Sequence, residues 1–421
     1  FGHGGGIYNA GNAKITSCVF DDNHVNNPSF HGGGIYNSSI FQLISSSVND
    51  NSSAGMGGGI MNDATLTVLA STISNNLSTA AGGGIASQGR ANFFSSTISN
   101  NDAGTSGGGI YSSATVLISR CTITENESGS NGGGIFSSDS LTFFNTIIAG
   151  NAADNQGPEI FNSSGTPVSS GYNVVRDIAQ SGFIPLPSDT AGTTANPVEA
   201  LLGPLQNNGG TLLTHEPLCG SPAIDNGDTT GAPSTDQRGL PRIHGKGIDI
   251  GSVETQFDDI TIQAVINNVS APGNADGSIQ LLVTGGTEPY FYLWNNGSQT
   301  HTITGLSAGG YSVTVTDLKG CDASAIFTVN VANGILEALG KVSLTLFPNP
   351  AQDFIFIQTE KKQISLIFFY NTDGKVVKKA ECSGFTELIK LPVTELPKGI
   401  YRVLVKYENG NFAAGRFVKG E

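Results

Sequence analysis

Gly82-Gly-Gly-Ile85-Ala-Ser-Gln-Gly-Arg-Ala-Asn-Phe93-Phe-Ser-Ser-Thr-Ile98-Ser-Asn-Asn101-Asp-Ala-Gly-Thr-Ser106 is one period of a repeat. The Gly-Gly-Gly-Ile motif recurs with its isoleucine at Ile7, Ile35, Ile60, Ile85, Ile110 and Ile135, at spacings of 28, 25, 25, 25 and 25 residues. Self-similarity at a fixed period of this length marks a solenoid. Thirteen residues after each isoleucine stands a second apolar position, Phe20, Val48, Ile73, Ile98, Ile123 and Ile148. Three residues further comes an asparagine: Asn23, Asn51, Asn76, Asn101, Asn126 and Asn151. A third apolar register, Ile15, Leu43, Val68, Phe93, Ile118 and Phe143, lies between the first two.

Three short segments per period, with period-two alternation as in Leu66-Thr-Val68, predict a right-handed parallel β-helix with three strands per coil. Equivalent residues then stack about 4.8 Å apart, so that each apolar register becomes an inward column that no single coil could bury. The asparagines form a structural ladder of turn residues, tolerant of the left-handed region and joined amide to amide. The glycines supply a tight corner, and no following helix or Lys supports a phosphate cradle. The extra three residues before Ile35 contain Pro28, as suits a loop. Ser87 is expected to tolerate a charge far better than Ile85. Ile160 keeps the period, but Pro158 and Glu159 replace glycines, so the regular stack ends near residue 165.

Glycine, 57 of 421 residues, is near twice the usual level of about 7%. The formal charge of −14 opposes a nucleic-acid partner, which rewards clustered Lys and Arg. It is unevenly divided: residues 1–340 carry 8 basic and 26 acidic side chains, residues 341–421 carry 12 and 8, or −18 against +4. That sign change marks a separate C-terminal module. No apolar run is long enough for a transmembrane segment. Phe1 opens inside a repeat without initiator Met or signal peptide, so preceding sequence is expected. Five scattered cysteines show no metal-ligand spacing and are expected as mostly free, buried thiols. Cys18 and Cys121 share one column four coils apart, too far to pair. No cofactor and no metal site are expected.

The paired Gly-Gly-x-Ile and Asn signatures of residues 1–165 resemble the repeats of polymorphic outer membrane proteins and pectate-lyase-like β-helices. Residues 166–255, with Gly220-Ser-Pro-Ala-Ile-Asp225 and Thr235-Asp-Gln-Arg-Gly-Leu-Pro-Arg242, resemble a choice-of-anchor Q segment. That resemblance implies a structural end-piece with Asp236 and Arg238 paired near a buried turn. Residues 256–333 contain Gly285-Gly-Thr-Glu-Pro-Tyr290, Trp294-Asn-Asn-Gly and Gly309-Gly-Tyr-Ser-Val-Thr-Val-Thr-Asp317, and resemble one SprB-type adhesin repeat, a β-sandwich with Trp294 in its core. After a linker at 334–340, residues 341–421 resemble the type A C-terminal sorting domain of the type IX secretion system, an Ig-like β-sandwich. Its signal is carried by Pro348, Asn349, Pro350, Gly399, Tyr401, Gly415 and Lys419. The resemblance implies the type IX secretion machinery as partner and an extracellular or outer-membrane-surface location in a Gram-negative bacterium.

Two functions compete. An adhesive or glycan-binding surface protein is favoured, because the coils hold few basic residues and the acids Asp21, Asp22, Asp50, Asp63, Asp102, Glu125 and Glu127 form no compact cluster in register. The alternative is a polysaccharide lyase or glycoside hydrolase, for which Asp21 and Asp50 are the acids able to approach within the roughly 5–10 Å such catalysis needs. No catalytic residue is assigned. The candidate ligand-binding residues are Tyr8, Tyr36, Tyr111, Phe136 and Phe161, which directly follow inward isoleucines and so turn outward, interrupted by Met61 and Ala86. Such a stripe suits polysaccharide or cell-surface glycans. Its structural reading is that segment 166–234 folds over it, or that the rings stack on one another.

Overall fold

A computed structural model describes residues 2–331, 344–382 and 385–420. The linker expected at 334–340 and the first residues after it lie outside this set. Every regular element among the described residues is a β-strand.

The repeats build a parallel β-solenoid of seven turns in which each coil adds a strand to each sheet. Sheet one runs from Ile7–Asn9 to Ile160–Asn162, and sheet two from Ala13–Thr16 to Val168–Ser169. Sheet three runs from Val19–Asp21 to Thr190–Ala191. The ladders are in the register that the repeat requires: Ile85 pairs with Ile60 and Ile110, Phe93 with Val68 and Ile118, and Ile98 with Ile73 and Ile123. All these residues are buried in one core.

Three strands per coil is corrected to four. A sheet of two-residue strands, His24–Val25 to Ala152–Ala153, follows each ladder asparagine. Its inward residues after Val25 are Ser53, Ser78, Ala103 and Ser128, too small and polar to register as an apolar column.

The ladder asparagines do not take the left-handed conformation. The residue before each does so, Asp50 at φ 54° and Asn75 and Asn100 at 55°. The asparagine then follows in the corner, where its oxygen accepts two bonds from the preceding coil: Asn76 N and Nδ2 donate to Asn101 Oδ1 at 3.1 and 2.9 Å. This satisfies a corner N–H that no ladder partner reaches. A second corner repeats the device with hydroxyls. Ser45, Ala70 and Ser95 are left-handed, and Ser46 N donates to Ser71 Oγ, whose own N–H donates to Ser96 Oγ, each at 3.1 Å. Ser87, expected to tolerate a charge, is instead buried in a third ladder that runs Asn9, Asn37, Asn62, Ser87, with Asn62 Nδ2 donating to Ser87 Oγ at 2.9 Å.

The seventh coil shows why its glycines are replaced. Glu159 turns inward and takes the place of the next ladder asparagine, accepting from Asn151 Nδ2 at 2.6 Å and from Gly150 N at 3.0 Å. Burial pushes its carboxyl up to about 7.

Residues beyond 198 return along the outward side of sheet three. Thr72 Oγ1 donates to the Leu213 carbonyl at 2.8 Å, Thr97 Oγ1 to Gln237 Oε1 at 2.6 Å, and Ser99 Oγ meets His215 Nε2 at 2.7 Å. Arg238 and Asp236 pair beneath this covering at 2.9 Å, both buried. Cys219 and Cys321 form a disulfide across 102 residues; the other three cysteines are free as expected, but only one of them has the expected burial. Of the rest, Cys121 is buried, Cys18 exposed and Cys382 half-buried. Spacing along the chain carries no trace of a pairing that distant segments bring about.

In the following segment one three-stranded sheet joins Thr261–Asn267, Gly277–Thr284 and Thr302–Leu306, and another joins Phe291–Trp294, Gly309–Thr316 and Asp322–Val329. Trp294 is buried, its Nε1 donating to the Thr300 carbonyl at 2.9 Å, which makes it core. The C-terminal module is antiparallel, organised on the long strand Phe354–Tyr370.

Candidate binding face

Each triple glycine enters sheet one for three different reasons. The first is left-handed, as at Gly82 with φ 73°. A Cβ on the second would collide with backbone of the coil's own return, at Gly83 with the Asp102 carbonyl. On the third it would lie 2.8 Å from the next coil's Gly109 carbonyl and 2.9 Å from Asn101 Cγ. The following isoleucine turns inward and the residue after it outward.

The outward column therefore holds Tyr8, Tyr36, Met61, Ala86, Tyr111, Phe136 and Phe161 in register. The rings stack on one another: Tyr8 on Tyr36 at 5.2 Å, Tyr111 on Phe136 at 5.0 Å and Phe136 on Phe161 at 5.6 Å. The interruption divides the candidates into two aromatic groups. Tyr8 is 54% exposed, whereas Tyr36 is 9% exposed and packs with Met61, Ala86 and Met56. Tyr111, Phe136 and Phe161 are half-buried. The segment beyond 198 bonds to sheet three.

The first group has polar company that the column pattern did not reveal. The Tyr36 hydroxyl donates to the Asp63 carboxylate, and burial together with that bond raises the phenol pKa. The residue before each triple glycine forms a neighbouring column, in which His31 N donates to His3 Nδ1 and Met56 N to His31 Nδ1, both at 3.0 Å. The His3 ring lies 4.2 Å from Tyr36 and meets Phe30 of the insertion edge-on at 5.3 Å. Burial and the nearby His3 lower the His31 pKa. A signal existed, since His3 and His31 both stand four residues before the isoleucine.

The acids are distributed otherwise than expected. Asp21 pairs with Asn49, and Asp22 rather than Asp21 is the left-handed equivalent of Asp50. Asp102 and Glu127 do stand in register on consecutive coils, both exposed. Among the described residues no three His, Cys, Asp or Glu gather as a metal site.

In the C-terminal module the signal residues converge on the last strand. Asn349 Oδ1 accepts from Val418 N at 2.8 Å, and Ala351 N donates to the Val418 carbonyl at 2.8 Å. Tyr401 stacks on Phe417 at 5.6 Å and donates to the Pro397 carbonyl at 2.7 Å. Gly415 leaves room for Leu346, whose Cδ1 would lie 2.8 Å from a Cβ there. Gly399 pairs with Lys419. Residues 345–419 match the family model of the secretion system C-terminal sorting domain, and residues 264–299 that of the SprB repeat. The chain carries a type IX sorting domain. It is thus a secreted or cell-surface protein. No curated protein matches it. Among solved structures it is similar to a biofilm associated protein BSP domain, at 11% identity and TM-score 0.16 over 38% of this chain and 30% of that one. It is also similar to dimeric latent PorU from Porphyromonas gingivalis, at 15% identity and TM-score 0.15 over 38% and 20%. Less than a third of either solved chain is spanned.

Proposed function

We propose that this secreted or surface protein is an adhesive, glycan-binding protein, and that sheet one is its binding face. The observation that carries the reading is the pair of stacked aromatic groups on the outward side of a rigid parallel sheet, the first beside Asp63, His3 and His31. Aromatic rings offer C–H faces of a sugar an apolar surface, and neighbouring carboxylate, imidazole and amide groups suit its hydroxyls. The SprB repeat supports a role at the cell surface.

The test is binding of the full chain to immobilised plant and host polysaccharides. Tyr111→Ala combined with Phe136→Ala is expected to weaken binding about tenfold, as loss of interface aromatics does, with little change in melting. Retained binding by this variant and by Tyr8→Ala would remove the face from consideration. Cleavage of a polysaccharide by the unmodified chain would favour the hydrolase or lyase reading instead.

A further inference from the structure

The C-terminal module presents a second apolar surface that the sorting motif does not account for. Thr345–Phe347, the start of Phe354–Tyr370 and Phe385–Pro392 form one antiparallel sheet, with Phe347 opposite Phe356, Phe354 opposite Pro392, and Phe356 opposite Lys390. Ile355, Ile357 and Ile389 fill the module's core from its inner side. On the outer side of such a sheet alternation calls for polar residues. Here it carries Phe347, Phe354, Phe356 and Leu388. Phe347 is 40% and Leu388 50% exposed, and the two other rings are half-buried. The rings contact each other, Phe347 on Phe356 at 5.4 Å and Phe354 against Phe356 at 5.3 Å. Lys390 Nζ stands 3.9 Å from the Phe354 centroid, and among the described residues no carboxylate pairs with it. The face runs at Phe354 into a groove of about 590 Å³ that Pro348, Pro350, Asp353 and Gly420 also line.

We propose that this face and groove are where the export machinery grips the sorting domain, and that the occupant is an apolar protein segment bearing a carboxylate for Lys390. A contiguous exposed apolar patch marks an interaction site, and aromatic side chains, Phe among them, are enriched at the cores of protein interfaces. Lys390 calls for an anion on one side, and Asp353 for a donor or cation at the groove. A polypeptide supplies both signs within a short length, whereas an anionic lipid surface would meet repulsion at Asp353. The proposal rests on reading residues 345–419 as a sorting domain.

The experiment follows the full chain in a bacterium that has a type IX system, measuring the fraction that reaches the surface or medium. Deletion of 345–419 is expected to abolish export. Phe354→Ser with Phe356→Thr is expected to reduce export about tenfold, in keeping with the loss of two hot-spot aromatics. Lys390→Glu keeps the apolar area and is expected to reduce export with unchanged melting of the purified chain. If deletion abolishes export while both substituted chains export normally, the docking face is wrong and the sorting reading stands. Normal export of the deleted chain would overturn both. Self-association of the full chain lost in the Phe variant, or its binding to anionic vesicles, with export intact, would equally assign the face to another occupant.

Discussion

Sheets one and three grow from the same coils, yet their outward faces solve exposure in opposite ways. Sheet three carries Ser47, Thr72, Thr97 and Thr122, all buried under residues beyond 198. Sheet one carries the stacked aromatic column. An irregular covering segment has backbone and amide groups that need partners, and a column of hydroxyls on four successive coils, from Ser47 to Thr122, provides them. Gln237 alone meets Thr97 Oγ1, the Ser71 carbonyl and Thr72 Oγ1. Rings need no such cover, because each buries its face on the next. The aromatic face meets solvent toward its two ends, at Tyr8 and at the half-buried Tyr111, Phe136 and Phe161, while Tyr36, Met61 and Ala86 pack on one another between them.

The largest effect tests what both sheets share. Ile85→Asp places a charge in the inward column and is expected to cost about 4 kcal/mol or more, enough to unfold the stack. Gln88→Asp, on an exposed position one coil-edge away, should leave thermal unfolding nearly unchanged. Equal sensitivity to both would mean the register is misassigned.

Removing the covering's central amide separates the two faces. Gln237→Ala removes three buried hydrogen bonds, leaving Thr72 Oγ1, Thr97 Oγ1 and the Ser71 carbonyl only their bonds to the Leu213 carbonyl, Ser252 and Thr97 N, and is expected to cost about 1–3 kcal/mol. Limited proteolysis should then cut within 198–255 while the coils resist. If cleavage spread evenly through the coils, the covering would be part of the stack's own cooperativity.

The smallest effect is a pH dependence. Glu159 is raised to about 7 by burial, and Glu254, beside the covering, to about 8 by burial and the neighbouring Asp249. Both unfolded values lie near the ordinary 4.5. The folded state then binds more protons than the unfolded one between these limits, so stability falls as pH rises from about 4.5 through 7 and 8. Melting should be higher near pH 5 than near pH 8 by the terms of these groups. Glu159→Gln is expected to flatten the lower part of the curve and Glu254→Gln the upper part; a curve unchanged in both variants would place the dependence elsewhere.

The solenoid was legible in the sequence, because a 25-residue period places equivalent side chains in columns whatever the surroundings. The sequence also exposed the asparagine ladder and the motifs of the sorting domain, where residue type and position are bound together. It did not show the fourth sheet, whose inward Ser and Ala are too small to stand out from turn residues. Nor did it show that Ser87 is buried, since a hydroxyl in a ladder has the same letter as one in water. Only tertiary structure decided the Cys219–Cys321 pairing and the choice of sheet three rather than sheet one for covering. Tertiary structure likewise decided the company of His3, Phe30 and Asp63 around Tyr36. These contacts join segments at no fixed spacing, and their energies come from hydrogen bonds and ring packing that exist only once distant parts of the chain meet.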